Sequence, residues 1–501
     1  MSHPLFEAVK KEAMPHRLLT SVDYLLGWDQ ETHMPSGSIE ARSAQKEYIA
    51  GLCHKELTSE NFAKALGELI DLESGEILID SLSDKEKAAA KGWRRDVNQA
   101  KKLPGAFVEQ WSKVTSEATH IWQKARAEDC FDNFAPKLTE VFELARQRAD
   151  YLGYNEHIYD ALLDEYEPEA TASMLDPLFA DLKPFLIDLT KQVSSDAPDL
   201  PDGPYAPELQ KTFCTALLHD MGLTPHNTTL SVSAHPFCLS LHPSDVRLTT
   251  HIDTESPIPC ISAVMHEGGH GLYEAGLPAE TYGTPLSDFI SLGIHESQSR
   301  FWEVLIGQSR PFWECYFPKL QKIFPQLTTL DDFYTHLNRV GPSFIRVHSD
   351  EVTYTLHVIL RYELEKELLT GSLSVKDLPE AWNAKMQEYL GITPPTFAKG
   401  CLQDIHWSHG FIGYFPTYAL GNLYSTQFFQ TFKEKHSDFE TRISSGDLGF
   451  IREFLRTNIH CHGRRYSAQE LVQKVTNNSI SSTPYRSHLT DKYIINSANL
   501  K

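Results

Sequence analysis

Apolar residues recur at three- and four-residue steps through most of the first 190 positions, the spacing of amphipathic helices packed on a core. Phe107, Trp111, Val114, Ala118, Ile121, Trp122 and Ala125 form one stripe, and Leu138, Val141, Phe142, Ala145, Ala149 and Leu152 form the next. Ahead of them, Ser83 and Glu86 have the spacing of a capping box for KAAAKGWRRDVNQAKK, a helix that Pro104 ends. The pattern breaks at VSSDAPDLPDGPYAP (193–207), where four prolines and a glycine predict a loop or subdomain boundary. Over 229–252 the residues of TLSVSAHPFCLSLHPSDVRLTTHI are rich in β-branched types and partly alternate, which predicts a short hairpin or sheet edge turning at Pro243-Ser244-Asp245. Helical spacing resumes near Ile261 and runs, with loops, to about Val475. The polar NNSISSTPYRSH after Thr476 reads as a partly mobile tail. The expected fold is mainly α with one small β element.

A length of 501 residues fits one large domain or two closely packed ones. An apolar fraction of 41% and a charged fraction of 23% are those of an ordinary globular protein. The net charge of −21 argues against a nucleic-acid partner, because phosphate binding needs a basic face. Any anionic substrate group must therefore meet a local cationic pocket. The N-terminal MSHPLFEAVKKEAMP lacks the apolar core of a signal peptide, and no later segment offers about 18 uninterrupted apolar residues, so a cytoplasmic location without membrane association is expected. Cysteines 53, 130, 214, 238, 260, 315, 401 and 461 are spread singly, which suits reduced and mostly buried thiols rather than disulfides or thiolate zinc sites.

The densest chemistry lies in AVMHEGGHGL (263–272). On a helix His266 and His270 stand one above the other, with Cβ atoms about 5–6 Å apart, so both imidazoles reach one ion. Glu267 lies about 100° around the helix, placed for the ion's water rather than for coordination. This arrangement suits metal-dependent hydrolysis, in which an ion lowers the pKa of water to about 7 and a glutamate takes the proton. Gly268, Gly269 and Gly271 would each cost about 1 kcal/mol in an ordinary helix. Their presence predicts that a neighbouring backbone, side chain or substrate comes too close for a Cβ, with Gly276 as the C-cap.

A catalytic zinc takes three protein ligands. The histidine of an extended HExxHxxGxxH motif is missing, since Tyr273 and Gly276 occupy the decisive positions. A carboxylate from a later helix is the alternative, and GIHESQSRFWEVLIG (293–307) offers Glu296, whose competing reading is an exposed helix acid.

HPF (235–237), DVRLT (245–249), HEGGH (266–270), HESQS (295–299), IRVHSD (345–350) and GCLQDIHW (400–407) follow the order seen in the carboxypeptidase Taq family, which the chain resembles. WDQETHMP (28–35) and GYFPTYALGN (413–422) extend the resemblance over the whole chain. One departure is Ser349, where the family usually has alanine. The resemblance implies a large helical peptidase fold with a deep groove, similar to the neurolysin and angiotensin-converting-enzyme type peptidases. It implies one peptidase domain over residues 1–501, two closely packed helical halves flanking the groove, and a homodimer. It further implies a metallocarboxypeptidase that releases single residues from free peptide C-termini, with one zinc or cobalt ion per subunit.

Matched motif by motif, His266, His270 and Glu296 become ligands and Glu267 the base. Arg346 becomes the clamp for the terminal carboxylate, because a planar guanidinium holds such a group with two parallel hydrogen bonds. Arg247 is a second candidate, with pairing to Asp245 as its alternative. His235, His406 and Tyr418 are the motif residues able to support an oxyanion, or else to pack and hydrogen-bond in the core. Asp350, Gln403 and Asp404 are expected to orient neighbours, and Trp407 and Phe237 to pack. An internally cleaving zinc oligopeptidase and a non-catalytic peptide-binding scaffold are the rival readings.

Overall fold

The computed structural model describes residues 2–194 and 197–495. Ser195 and Asp196, inside the expected 193–207 boundary, lie outside the described residues. The capping box forms, with Ser83 Oγ accepting from Glu86 N and Glu86 Oε2 accepting from Ser83 N at 2.8 Å, and the Asp84–Lys102 helix follows it. Pro104 then caps the Gly105–Ala127 helix, whose stripe is buried at Phe107, Val114, Ala118, Trp122 and Ala125 and half-buried at Trp111 and Ile121. All six apolar residues named for the Ala135–Leu152 helix are buried.

One hydrophobic cluster runs from Phe107 to Tyr493 and draws on residues from both sides of the 193–207 segment. Tyr205 within that segment is buried edge-on against Phe324, and its N–H donates to Thr254 O. A smaller cluster unites residues 6–97 with Leu286. The Pro4–Thr32 helix spans from this second core to the sheet, where Trp28 meets the Phe237 ring edge-on at 5.7 Å.

Among the described residues the sheet has three strands, β1 (Thr228–Val232), β2 (Cys238–His242) and β3 (Asp245–Thr250), in the order β1-β3-β2. The expected hairpin is β2–β3, turning at Pro243-Ser244. Strand β1 pairs parallel to β3, which residue alternation does not reveal. The connecting 233–237 loop crosses the end of β3, pinned by Ser233 Oγ and Phe237 N donating to Thr249 Oγ1 at 2.7 and 2.9 Å.

The polar tail is ordered rather than mobile. Asn477, at φ 57°, ends the Ala468–Thr476 helix, and the chain then forms the Thr483–Thr490 helix and a π-helical turn over Asp491–Ile495. Buried Glu351 holds this segment by accepting from Lys492 Nζ at 2.7 Å and pairing with His488 Nε2 at 2.6 Å. All eight cysteines are free, and only Cys214, Cys260 and Cys401 are fully buried, which corrects the expectation of mostly buried thiols. Among the described residues no helix is long and apolar enough to cross a membrane.

Candidate metal centre

The Ile258–Gly276 helix carries HEGGH, and its glycines answer to neighbouring protein. A Cβ on Gly269 would stand 2.5 Å from the Gln298 carbonyl oxygen and 2.6 Å from Ser299 Cα, so this glycine lets the backbone of the Leu292–Arg300 helix lie directly against it. Gly268 faces Leu218 and Met221, and Gly271 faces Leu223, Val246 and Leu248, the last two from β3. Gly276 is not the expected C-cap. It is the last helical residue, Leu277 is the extended cap, and the His460 imidazole is what excludes a Cβ.

The Leu292–Arg300 helix starts on Ser291, whose Oγ accepts from Ile294 N at 3.1 Å. Buried Glu167 accepts from Gly293 N at 2.8 Å and from Tyr424 OH at 3.0 Å, tying this start to the Pro416–Lys435 helix. Gly421 of that helix packs straight onto the Glu296 side chain. Close helix approach thus sets Glu296 opposite the two histidines.

The Nε2 atoms of His266 and His270 lie 3.6 and 3.5 Å from Glu296 Oε2. Two ligands of a tetrahedral ion, each at about 2.1 Å, stand about 3.4 Å apart, so this donor set fits a divalent cation. Among the described residues, these three offer ligand atoms all within 4.8 Å of one another. The His266 and His270 side chains keep 26% and 16% of their surface exposed, which leaves the cluster open on one side.

Burial pushes the Glu296 carboxyl up, but the His266 charge, the His270 hydrogen bond and Arg300 outweigh it and hold it to about 2. Burial alone pushes His266 down, and Glu296 with Glu303 pulls it to about 9. His270, buried and beside His295, is held to about 3. Burial raises Glu267 to about 7 against the pull of His266.

Each candidate histidine ligand is oriented from behind. His266 Nδ1 donates to Glu303 Oε2 at 2.8 Å, and Arg300 Nη1 donates to the same oxygen at 2.9 Å. Arg300 Nε in turn donates to Asn422 Oδ1, and Asn422 Nδ2 to Thr355 Oγ1. His270 Nδ1 faces His295 Nδ1 at 2.5 Å, and His295 Nε2 faces Glu274 Oε1 at 2.9 Å. Sequence reasoning missed Glu303, His295 and Glu274. The signal for Glu303 was present, since positions 296, 300 and 303 share one helical face.

Asp404 and Gln403 orient neighbours as expected, and the neighbours are arginines, Arg346 for both and Arg361 for Asp404 as well. Arg346 is buried, with Nε donating to Asp404 Oδ1 at 3.1 Å, Nη2 lying 3.0 Å from the same oxygen and Nη1 donating to the Tyr354 hydroxyl at 3.1 Å. Gln403 Oε1 accepts from Arg346 N at 2.9 Å. The guanidinium stacks 4.9 Å over Tyr418, whose hydroxyl is 3.3 Å from His406 Nε2. Burial, then Arg346, takes His406 down to about 3, so its imidazole is neutral. Tyr354 links this pocket to the ligands, with Arg300 at 5.3 Å and Arg346 at 5.9 Å from its ring.

Other expected residues stand apart. Arg247 gives Nε and Nη2 to Asp245 at 2.9 Å each and lies over the Trp28 ring, so the fold makes the Asp245 pairing. His235 is exposed on the 233–237 loop. Asp350 accepts from the N–H groups of Gly341, Val352 and Thr353, which organises its own loop. Trp407 is buried with Nε1 donating to Glu365, as packing requires.

A helical fold with this side-chain set is that of a metallopeptidase. Residues 8–493 match the sequence profile of the carboxypeptidase Taq (M32) metallopeptidases. Thermostable carboxypeptidase 1 of Thermus thermophilus is 39% identical over 492 residues, 95% of each chain, and carboxypeptidase 1 of Bacillus subtilis is 37% identical over 476 residues, 94% of each. A solved Pyrococcus furiosus carboxypeptidase superposes with TM-score 0.95 at 34% identity, covering 99% of this chain and 100% of that one. The M32 carboxypeptidase of Deinococcus radiodurans gives 0.94 at 33%, covering 98% and 99%. The chain belongs to the carboxypeptidase Taq (M32) family and is a metal-dependent carboxypeptidase.

Proposed function

We propose that His266, His270 and Glu296 hold one divalent ion, that Glu267 is the general base, and that Arg346 receives the substrate's terminal carboxylate. The observation that carries this reading is the convergence of His266 Nε2, His270 Nε2 and Glu296 Oε2, with Glu267 on the next helical position. When bound, the ion supplies Lewis acidity to the scissile carbonyl and to water. Glu267 takes a proton from the attacking water and passes it to the departing amine nitrogen. Its burial and raised proton affinity suit both transfers near neutral pH.

Arg346 donates from Nε to Asp404 and from Nη1 to Tyr354, with Nη2 ion-paired to Asp404, and N–H groups still available on Nη1 and Nη2 match the two oxygens of a carboxylate. Asp404 thereby aims the guanidinium. Tyr418, hydrogen-bonded to neutral His406, is the oxyanion donor of this reading. The family resemblance alone supports Arg247, held by Asp245 over Trp28, as a second substrate contact and exposed His235 as a further oxyanion-supporting residue.

The nitrogen-and-carboxylate donor set supports zinc, with cobalt as a competent substitute, one per subunit. The free thiols support a cytoplasmic location, and the acidic charge a peptide rather than nucleic-acid partner. The continuous core across 193–207 supports one peptidase domain, and the family resemblance a homodimer.

Mass spectrometry of a mixed peptide pool tests the function. The expected result is a ladder trimmed one residue at a time from free C-termini, arrested by a chelator and absent for C-terminally amidated peptides. Internal cleavage of amidated peptides is the result expected of an oligopeptidase and overturns the assignment.

A further inference from the structure

The two histidines of HEGGH are backed in different ways. His266 meets a carboxylate directly, through Glu303. On its Nδ1 side His270 meets one only through a second imidazole, in the line His270 Nδ1 to His295 Nδ1 at 2.5 Å and His295 Nε2 to Glu274 Oε1 at 2.9 Å. The contact between the two Nδ1 atoms holds a single hydrogen, and chemistry at either end decides whose it is. As a metal ligand His270 must present a lone pair at Nε2, the atom 3.5 Å from Glu296 Oε2, and that requires the hydrogen at Nδ1. His295 Nδ1 must then accept, which puts the His295 hydrogen on Nε2, where Glu274 receives it. Phe289, edge-on to His295 at 4.9 Å, and Tyr273 at 5.2 Å hold that ring in the orientation the line needs.

We propose that His295 and Glu274 are positioning residues that fix the tautomer and ring orientation of His270 through this two-step relay. The proposal rests on the reading of His270 as a ligand. Glu274 sits one helical turn beyond His270 on the same face, so the relay leaves the Ile258–Gly276 helix, passes through the Leu292–Arg300 helix and returns. It therefore also locks the register of the two elements that supply the ligands. His295 acts through His270 and touches no substrate in this account.

The test is metal affinity of the purified full chain, stripped and titrated with zinc against a chromophoric chelator, together with the visible absorption spectrum of the cobalt form. His295→Phe keeps the ring volume and removes the acceptor. Its zinc affinity is expected to fall by about 10–100-fold, with a shifted cobalt spectrum. His295→Asn, whose Oδ1 stands where Nδ1 stood, should recover most of that loss. Glu274→Gln should weaken binding by about tenfold, and nothing further should be lost when it is added to His295→Phe, since Glu274 acts only through His295. A purely structural role would lower the unfolding temperature of the metal-free protein and leave affinity and spectrum unchanged.

His270→Ala runs beside these variants to separate two failures. If it binds zinc like the wild type, the ligand assignment itself is wrong. If it loses zinc while His295→Phe and Glu274→Gln bind normally, the relay is overturned. An additive loss in the double variant also overturns it, and should His295→Phe fail to fold, Glu274→Gln and His295→Asn decide.

Discussion

Glu267→Gln is expected to keep its metal ion and lose about 10²–10⁴-fold in kcat. The substitution preserves shape and hydrogen-bonding capacity but removes the group that accepts a proton. Glu267 is 6% exposed and its proton affinity is raised to about 7, so the wild-type carboxylate is a stronger base than an exposed glutamate and lies near the pKa that suits proton transfer at neutral pH. The His266–Glu303 and His270–His295 hydrogen bonds do not involve residue 267, so the ligands stay in place. Metal content by plasma mass spectrometry, paired with steady-state kinetics, reads both halves. Near-normal kcat with full metal would show that Glu267 is not the base.

Gly269→Ala carries the second large expected effect, and it acts through packing alone. The new Cβ would meet backbone, 2.5 Å from the Gln298 oxygen and 2.6 Å from Ser299 Cα, and neither can swing aside as a side chain would. Relief requires the Leu292–Arg300 helix to retreat by about 1 Å, at a cost of about 1–3 kcal/mol. Residues 298 and 299 follow Glu296 by less than a turn, so the retreat carries Glu296 away from His266 and His270. A lower unfolding temperature and at least a tenfold loss of zinc affinity are expected, because coordination tolerates only about 0.2 Å of error. Gly268→Ala makes the control. Its Cβ meets the ends of Met221 and Leu218, which can rotate, so its effect on the metal should be smaller. Equal zinc binding by Gly269→Ala and wild type would contradict the packing account.

Much of this site was written in local spacing. The four-residue step between His266 and His270 is a property of any helix, and the three glycines announced a close neighbour before it was seen. Glu296 was less legible, since an acid on a later helix is one among many, and it was the resemblance carried by the HES motif that raised it from candidate to ligand. Which carboxylate backs which imidazole depends on how helices cross. Asp404 and Gln403, expected to orient neighbours, sit under Arg346, while Glu303 and Glu274 stand behind the imidazoles.

Helix stripes and the Ser83 capping box were legible because both depend on neighbours within a turn. The parallel strand β1 was not, since strand order is fixed by the crossing loop at 233–237. The tail misled for a related reason. Its polar residues resemble a solvated segment until buried Glu351 is placed opposite His488 and Lys492.

Calorimetric titration of metal-free protein with zinc, for wild type beside Glu296→Ala, tests the central claim most directly. The account predicts one ion per chain for the wild type and no comparable binding by the variant, with circular dichroism showing both folded. Undiminished stoichiometric binding by folded Glu296→Ala would contradict it.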